Sequence, residues 1–469
     1  MSFTIYKIIK GKKYAYEITS YWDPNLKKVR KKSKYLGIPN SQNIIKKKRD
    51  EIKHTKELFQ LDFGDGYLLN EIYKKSKLHT VLEKLITGGC RELIPLIYYR
   101  LAMQSAMYNA ENWIAGNVAS LFFKDADLTS QNISSVLKYL GNESIQREFF
   151  LQYLQNLGGS EKAVIIDATS LPNQINTSFN AWGYASGTVE KQFKLLCVLD
   201  RDTKTPLFYR YLPGNLADVS TLQRTILELS QMGVKSSFAL IDAGYLSEEN
   251  ITSLYQEKIN FLTRLPSSRT IYKELIATEA NDIENKKYAI KYGVRGLFVK
   301  RIKVQLYEQE AYAFLVMDPI KKGKESQAMV LDYLNDKNQI DSDFNACGII
   351  VLISSLPFEI EEVVENYYTR QAVEQVFGFY KDDLQSLPLR CHTDSTIRGY
   401  LFLQFIVLIL FLELRSYLKN KFTVEQALLI TRNIKCKVFK KELLVAELTK
   451  NQKQIFELCD IMVPKIYGI

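Results

Sequence analysis

Two short apolar runs, each closed by an aspartate, constrain this chain more than any other feature: KAVIIDATSL, whose apolar stretch ends at Asp167, and SSFALIDAGY, whose stretch ends at Asp242. Apolar residues in unbroken succession read as strands buried on both faces, because a half-solvated strand would alternate. FKLLCVLD and PLFYRYL form a hairpin across Arg201-Asp202-Thr203-Lys204, and the helical patterns TLQRTILELSQMG and SEENITSLYQEK lead to a further strand, NFLTRL. Strands alternating with helices predict a mixed α/β sheet. Aspartates at strand ends then project into a crevice, although a single such residue is equally suited to starting a turn, the role expected of Asp200.

The rest of the chain sorts around that sheet. Net charge is +11, and residues 1–50 carry all of it, with fourteen Lys/Arg against three Asp/Glu (14 − 3 = +11). KKVRKKSK (27–34) and KKKR (46–49) concentrate the cations, while Tyr14, Tyr16, Tyr21 and Trp22 interleave with them in strands broken at Gly11-Lys12 and Asp23-Pro24-Asn25. A small basic sheet of this kind suits nucleic acid, since each cation set on a phosphate releases a condensed counterion; a membrane surface is the other anionic partner. From about 40 to 157 the pattern is helical, with Thr129 or Ser130 as an N-cap and a weak helix-turn-helix signal in DLTSQNISSVLKYLG.

Several classes are set aside. YLFLQFIVLILFLEL (400–414) is shorter than the roughly 20 residues that span a bilayer and is interrupted by Gln404, so a buried helix is expected. Six scattered cysteines without C-x-x-C pairs, and three histidines remote from them, argue against zinc and disulfide frameworks. The opening MSFTIYKIIKGKK has no apolar core of a signal peptide, so a reducing cytoplasm is the expected location.

ENYYTRQAVEQVFGFYKDDL (365–384) places Tyr367, Arg370, Glu374 and Lys381 three, four and seven positions apart. On one continuous helix they fall within about 60° of each other, a polar stripe opposite Val364, Ala372, Val373, Val376, Phe379 and Tyr380. A solvated i,i+4 ion pair would produce the same pattern. Asp167, Asp242 and Glu374 together would instead supply three hard oxygen ligands without histidine, the donor set of Mg²⁺ or Mn²⁺, and a pair of such ions suits phosphodiester chemistry.

Tyr367-x2-Arg370-x3-Glu374-x6-Lys381 resembles the Y-(2)-R-(3)-E-(6)-K signature of bacterial insertion-sequence transposases, which have an Asp-Asp-Glu active site on a ribonuclease H-like core. Asp167-Ala168-Thr169, Asp242-Ala243-Gly244-Tyr245 and Pro213-Gly214-Asn215 with Asp218 extend the resemblance over roughly 160–415, as does the β-rich stretch between Asp242 and Glu374. The resemblance implies that Asp167, Asp242 and Glu374 bind two Mg²⁺ or Mn²⁺ ions, and that Tyr367, Arg370, Lys381 and Arg264 contact DNA phosphates. It also implies cleavage of terminal inverted repeats and joining to target DNA by a homodimer on double-stranded DNA, with no membrane involved. A ribonuclease H-like endonuclease without strand transfer, or a non-catalytic DNA-binding regulator, stays open at this level.

The expected architecture is α/β: a basic β module (1–40), a helical, DNA-binding region (41–157), a ribonuclease H-like core in two parts (158–270 and 346–418) around a β-rich insertion (271–345), and a mostly helical C-terminal region (419–469).

Overall fold

The computed structural model describes residues 2–9, 12–23, 28–39, 44–45, 57–87, 90–103, 105–159, 161–173, 175–177, 179–185, 188–216, 218–335, 344–385, 391 and 393–469. The chain divides into two compact units, Met1–Phe59 and Gln60–Ile469.

The first unit is an antiparallel meander of β1 (Ser2–Ile9), β2 (Lys12–Asp23), β3 (Lys28–Pro39) and β4 (Ile44–Ile45). KKKR (46–49) lies outside the described residues.

The second unit opens with β5 (Phe59–Asp62) and a run of helices: α1 (Gly64–Lys75), α2 (Leu78–Thr87), α3 (Leu93–Met103), α4 (Ala110–Ala115), α5 (Ala119–Phe122), α6 (Ser130–Leu140) and α7 (Glu143–Leu157). Then come β6 (Glu161–Pro172), β7 (Ala181–Ala185), β8 (Thr188–Asp200), β9 (Pro206–Pro213), α8 (Leu222–Gln231), β10 (Lys235–Ile241), α9 (Glu248–Gln256) and β11 (Asn260–Arg264). The segment α10 (Thr270–Glu279), β12 (Ala289–Tyr292), β13 (Arg295–Leu306), β14 (Gln309–Met317) and α11 (Pro319–Asn335) leads back through β15 (Ile349–Ser354) to α12 (Ile360–Tyr368), α13 (Gln371–Gln385) and α14 (Asp394–Leu418). The chain ends with α15 (Val424–Arg432), β16 (Lys435–Val438), β17 (Glu442–Val445), α16 (Lys450–Leu458) and β18 (Ile466–Gly468).

One mixed sheet organises this unit, in the order β12-β13-β14-β15-β11-β10-β6-β8-β7, with β9 also paired to β8. The runs that looked buried on both faces are so: Val164, Ile165 and Ile166 of β6 and Ala239, Leu240 and Ile241 of β10 are all within 1% of full burial. These two strands pair in parallel, as do β10 and β11, whereas β6 and β8 pair antiparallel. Asp200 starts the hairpin turn after β8: its Oδ1 accepts the Asp202 and Thr203 amides, both at 3.0 Å. Burial works to raise its pKa, but the Thr203 amide and the Lys162 ammonium outweigh burial and hold it below the ordinary carboxylate value.

The stretch expected as an insertion extends the sheet. β14 pairs with β15 over Tyr312↔Ser354 to Met317↔Ile349, and β15 continues onto β11. Its five-residue run Ala313–Met317 is buried throughout, so the hairpin needs the sheet to cover it. The C-terminal region is also different from the helical expectation: β16, β17 and β18 form a second sheet that recruits β5, in the order β18-β17-β16-β5. Lys435-Cys436-Lys437-Val438 shows why, because Cys436 and Val438 face inward and the two lysines outward, a period of two.

The apolar 400–414 stretch is the middle of α14, and every residue from Gly399 to Leu410 is buried inside the protein. A capping box between Thr393 and Thr396 starts the helix. Helices α1, α3, α6, α15 and α16 pack against it, as does β9. At the crossing with α6 the backbones touch. A Cβ on Gly399 would collide with the Leu137 carbonyl oxygen, and one on Gly141 with the Ser395 carbonyl oxygen.

Candidate active site

The two aspartates come together through strand register. The parallel ladder of β6 and β10 ends at the pair Ile166↔Ile241. The next residues, Asp167 and Asp242, therefore leave it side by side on adjacent strands, which lie about 4.8 Å apart, and both point to the face opposite the isoleucines. Only Asp242 stands at a strand end. Asp167 sits inside β6, which runs on to Pro172 because β8 keeps it paired, with Asp167 opposite Cys197. Asp167 is 8% exposed and its Oδ1 accepts the Ala168 amide at 2.8 Å. The Cys197 thiol beside it is pushed well above its ordinary pKa, first by burial and then by the Asp167 charge. Asp242 caps the short 3-10 turn Ala243–Tyr245, its Oδ2 accepting the Gly244 amide at 3.3 Å.

The signature does not lie on one helix. Tyr367 lies in the last turn of α12, Arg370 sits in the turn that follows, and Glu374 and Lys381 belong to α13. Around this turn the backbone bonds shorten to the i→i+3 kind: Arg370 to Tyr367 O at 3.1 Å, Ala372 to Thr369 O at 3.0 Å and Val373 to Arg370 O at 2.9 Å. The Thr369 hydroxyl donates to Glu365 O at 2.9 Å, a side-chain bond that competes with the helix ladder. Tighter winding rotates Tyr367 out of the stripe. It is half-buried against the core rather than facing outward with Glu374.

The turn aims Arg370 at both neighbouring acids. Its Nη1 forms an ion pair with Asp242 Oδ1, and its Nη2 reaches Glu374 Oε1 at 3.4 Å. Val373 and Val376 are buried on the other side of α13, which rests on β6, the strand of Asp167. Glu374 is the most open of the three, with its side chain 58% exposed. Asp242 and Glu374 thus converge on a cation, the Arg370 guanidinium, and both offer hard oxygen donors. That donor chemistry fits a divalent ion. Among the described residues, no three His, Cys, Asp or Glu side chains close on one point as a metal cluster; between Asp242 and Glu374 stands the Arg370 guanidinium.

Arg264, at the end of β11, joins the group through Tyr367. Burial raises the Tyr367 pKa, and the Arg264 guanidinium, hydrogen-bonded to its hydroxyl, pulls it partly back. The side chains of Lys381 and Asp218 lie outside the described residues. One contribution was invisible in the sequence. Tyr292, at the end of β12, stacks on Tyr368 with ring centroids 4.9 Å apart, and the Arg295 guanidinium lies 5.4 Å from the Tyr368 ring. No local pattern marks these residues, since only the sheet pairing of the 289–317 strands brings them to α12.

Comparison with known families matches residues 158–410, more than half of the chain, to the transposase DDE domain. Among solved structures, a piggyBac transposase synaptic complex with hairpin DNA, determined by cryo-EM, is similar at 11% identity and a TM-score of 0.38, over 78% of this chain and 69% of that one. No curated protein matches the chain.

Proposed function

This chain belongs to the DDE-domain transposase family and is a DNA transposase; from that premise we propose that it binds the terminal inverted repeats of a mobile element, cleaves the ends and joins each freed 3′ hydroxyl to target DNA. Asp167, Asp242 and Glu374 are its catalytic acids and would hold two Mg²⁺ or Mn²⁺ ions on a ribonuclease H-like core. Divalent ions of this kind activate an attacking oxygen and neutralise the leaving one. The register that sets Asp167 beside Asp242, with Arg370 linking Asp242 to Glu374, is the observation that carries this reading.

The surrounding residues have complementary work. Arg370 and Lys381 contact phosphates around the cleaved end, Arg370 by a two-pronged guanidinium and Lys381 by a point charge about three turns further along the chain. Tyr367 and Arg264 lie together on the β11 side, where the Arg264 charge acts on the Tyr367 hydroxyl. The N-terminal unit supplies DNA affinity, and two copies hold two element ends in one complex. Six free, buried cysteines suit a reducing cytoplasm.

Alanine at Asp167, Asp242 or Glu374 is expected to abolish cleavage of a labelled element end in Mg²⁺ while leaving DNA binding nearly intact. Wild-type cutting by any one of the three variants removes that residue from the catalytic set. Cleavage by the wild type without joining to a target duplex makes the enzyme a nuclease rather than a strand-transferring one.

A further inference from the structure

We propose that one face of the N-terminal sheet is the surface that docks on the sugar-phosphate backbone of duplex DNA, with Lys28, Arg30, Lys32 and Lys34 as its phosphate-binding row. The proposal rests on the reading of the chain as a DNA-binding transposase and assigns that binding to particular side chains.

Register sorts this sheet into two unlike faces. The pairs Phe3↔Ile18, Ile5↔Tyr16, Trp22↔Val29 and Tyr16↔Tyr35 gather apolar and aromatic side chains on one side. Ring contacts agree, with Tyr35 at 6.2 Å from Tyr14 and 5.4 Å from Tyr16. The pairs Tyr6↔Ala15, Glu17↔Lys34, Thr19↔Lys32, Tyr21↔Arg30 and Asp23↔Lys28 define the other side. There Lys13 lies 4.8 Å from the Tyr6 ring centre, and Arg30 pairs with Asp23 at 3.5 Å.

The two faces differ in how their cations are arranged. Lys28, Arg30, Lys32 and Lys34 are all exposed and occupy every second position of one strand. Successive members are about 6.8 Å apart and the row is about 20 Å long, a length over which one DNA strand presents about six phosphates at 3.4 Å rise. On the apolar face Lys7 and Lys31 sit on different strands, roughly 20 Å apart, and Lys7 is drawn over the Tyr16 ring. Glu17 lies opposite Lys34, and Asp23 lies opposite Lys28 and pairs with Arg30, so two acids stand against four cations and the row keeps a net positive charge, with Lys32 facing the neutral Thr19. Side chains spaced along a rod and lacking hydrogen-bond acceptors recognise backbone, not base sequence.

The test uses the full-length protein, with duplex DNA binding followed by fluorescence anisotropy across a salt series. Replacing Lys28, Arg30, Lys32 and Lys34 together with Gln should flatten the slope of log K against log salt by up to about 3.6, about 0.9 per lost phosphate contact. The loss should be equal on a terminal-repeat duplex and on an unrelated duplex of the same length. Lys7→Gln with Lys31→Gln should leave the slope as in wild type. If the fourfold variant does not fold, the four single variants serve, each expected to lower the slope by about 0.9. An unchanged slope in the row variants, or an equal change from the Lys7 and Lys31 pair, overturns the assignment. So does loss of binding to phosphatidylserine vesicles with the DNA slope intact, which would make the row a membrane contact. If the wild type itself binds DNA without salt dependence, the DNA-binding role of the whole unit fails, a result distinct from failure of the face.

Discussion

Arg370 stands where a cation is needed. Two carboxylates, Asp242 and Glu374, face it, and the pair with Glu374 is the weaker, at 3.4 Å to a side chain more than half exposed. An i,i+4 pair in that setting contributes only a few tenths of a kcal/mol. The Asp242 pair is the informative one, because it ties α13 to the end of β10 across a long stretch of sequence. A divalent ion and a guanidinium would compete for the same oxygens, so on the proposed reading a metal held by Asp242 and Glu374 would displace Arg370 from them. Phosphate is the partner that a released guanidinium meets best in a DNA-bound enzyme. Arg370→Gln is therefore expected to tighten Mn²⁺ binding to the DNA-free protein by at least about tenfold, a small part of the ~4 kcal/mol that one charge at contact distance represents at an effective dielectric near 20, because the site is partly open to solvent. Arg370→Lys should fall between the two, and both variants should cut DNA ends poorly. Titration calorimetry with MnCl2 decides the matter: equal or weaker Mn²⁺ binding by the Gln variant, beside a clear loss in Asp242→Asn, would mean that Arg370 does not guard the site.

At the scale of elements, the crossing of α6 and α14 sets a sign that helix propensity alone would get wrong. Alanine is favoured over glycine inside a helix by about 0.8–1.0 kcal/mol, yet Gly399→Ala and Gly141→Ala drive a methyl into a facing backbone carbonyl. A carbonyl in a helix cannot move aside, so the helices must separate, and each substitution is expected to cost about 1–3 kcal/mol. Gly323, in α11, has open space around it, and Gly323→Ala should stabilise by about 0.5–1 kcal/mol. Urea unfolding of the three variants reads the contrast. The same distinction explains what the sequence made legible. Periodicity identified the strands of Asp167 and Asp242 and the buried helix at 400–414, because burial on both sides imprints itself on local composition. It placed Asp167 at a strand end and the signature on one straight helix, and both readings were altered by partners far away. β8 holds β6 in the ladder past Asp167, and the Thr369 hydroxyl, with the i→i+3 bonds after it, breaks the stripe at Arg370. The sheet made by β5 with the chain's last strands was illegible for a like reason, since each strand is four residues or fewer and gains its identity only from its neighbours.

At the scale of the whole second unit, the catalytic domain cannot be separated from its flanks. The family match ends at residue 410, inside α14, which continues to Leu418. The flanks cover that helix, with α1, α3 and α6 before the matched segment and α15 and α16 after it. They are also stitched to each other: the Phe63 amide donates to Ile434 O at 2.7 Å, Arg432 Nε meets the fully buried Asp65 carboxylate at 3.0 Å, and the Tyr67 hydroxyl donates to Met462 O at 2.9 Å. Excising 158–410 would strip apolar surface from Phe402, Phe405, Ile406 and Ile409 and cut the helix mid-length, exposing far more than a lone domain tolerates. Among the described residues, the contiguous hydrophobic core of the second unit begins at Leu61. A fragment of residues 57–469 is therefore expected to be soluble and to unfold in urea in one cooperative transition with a midpoint near that of the full chain. The 158–410 fragment should be insoluble or bind a hydrophobic dye without a cooperative transition. A cooperative, soluble 158–410 fragment would mean that the flanks are appended modules, and that the packing of α14 by both ends of the unit is dispensable to the fold that carries Asp167, Asp242 and Glu374.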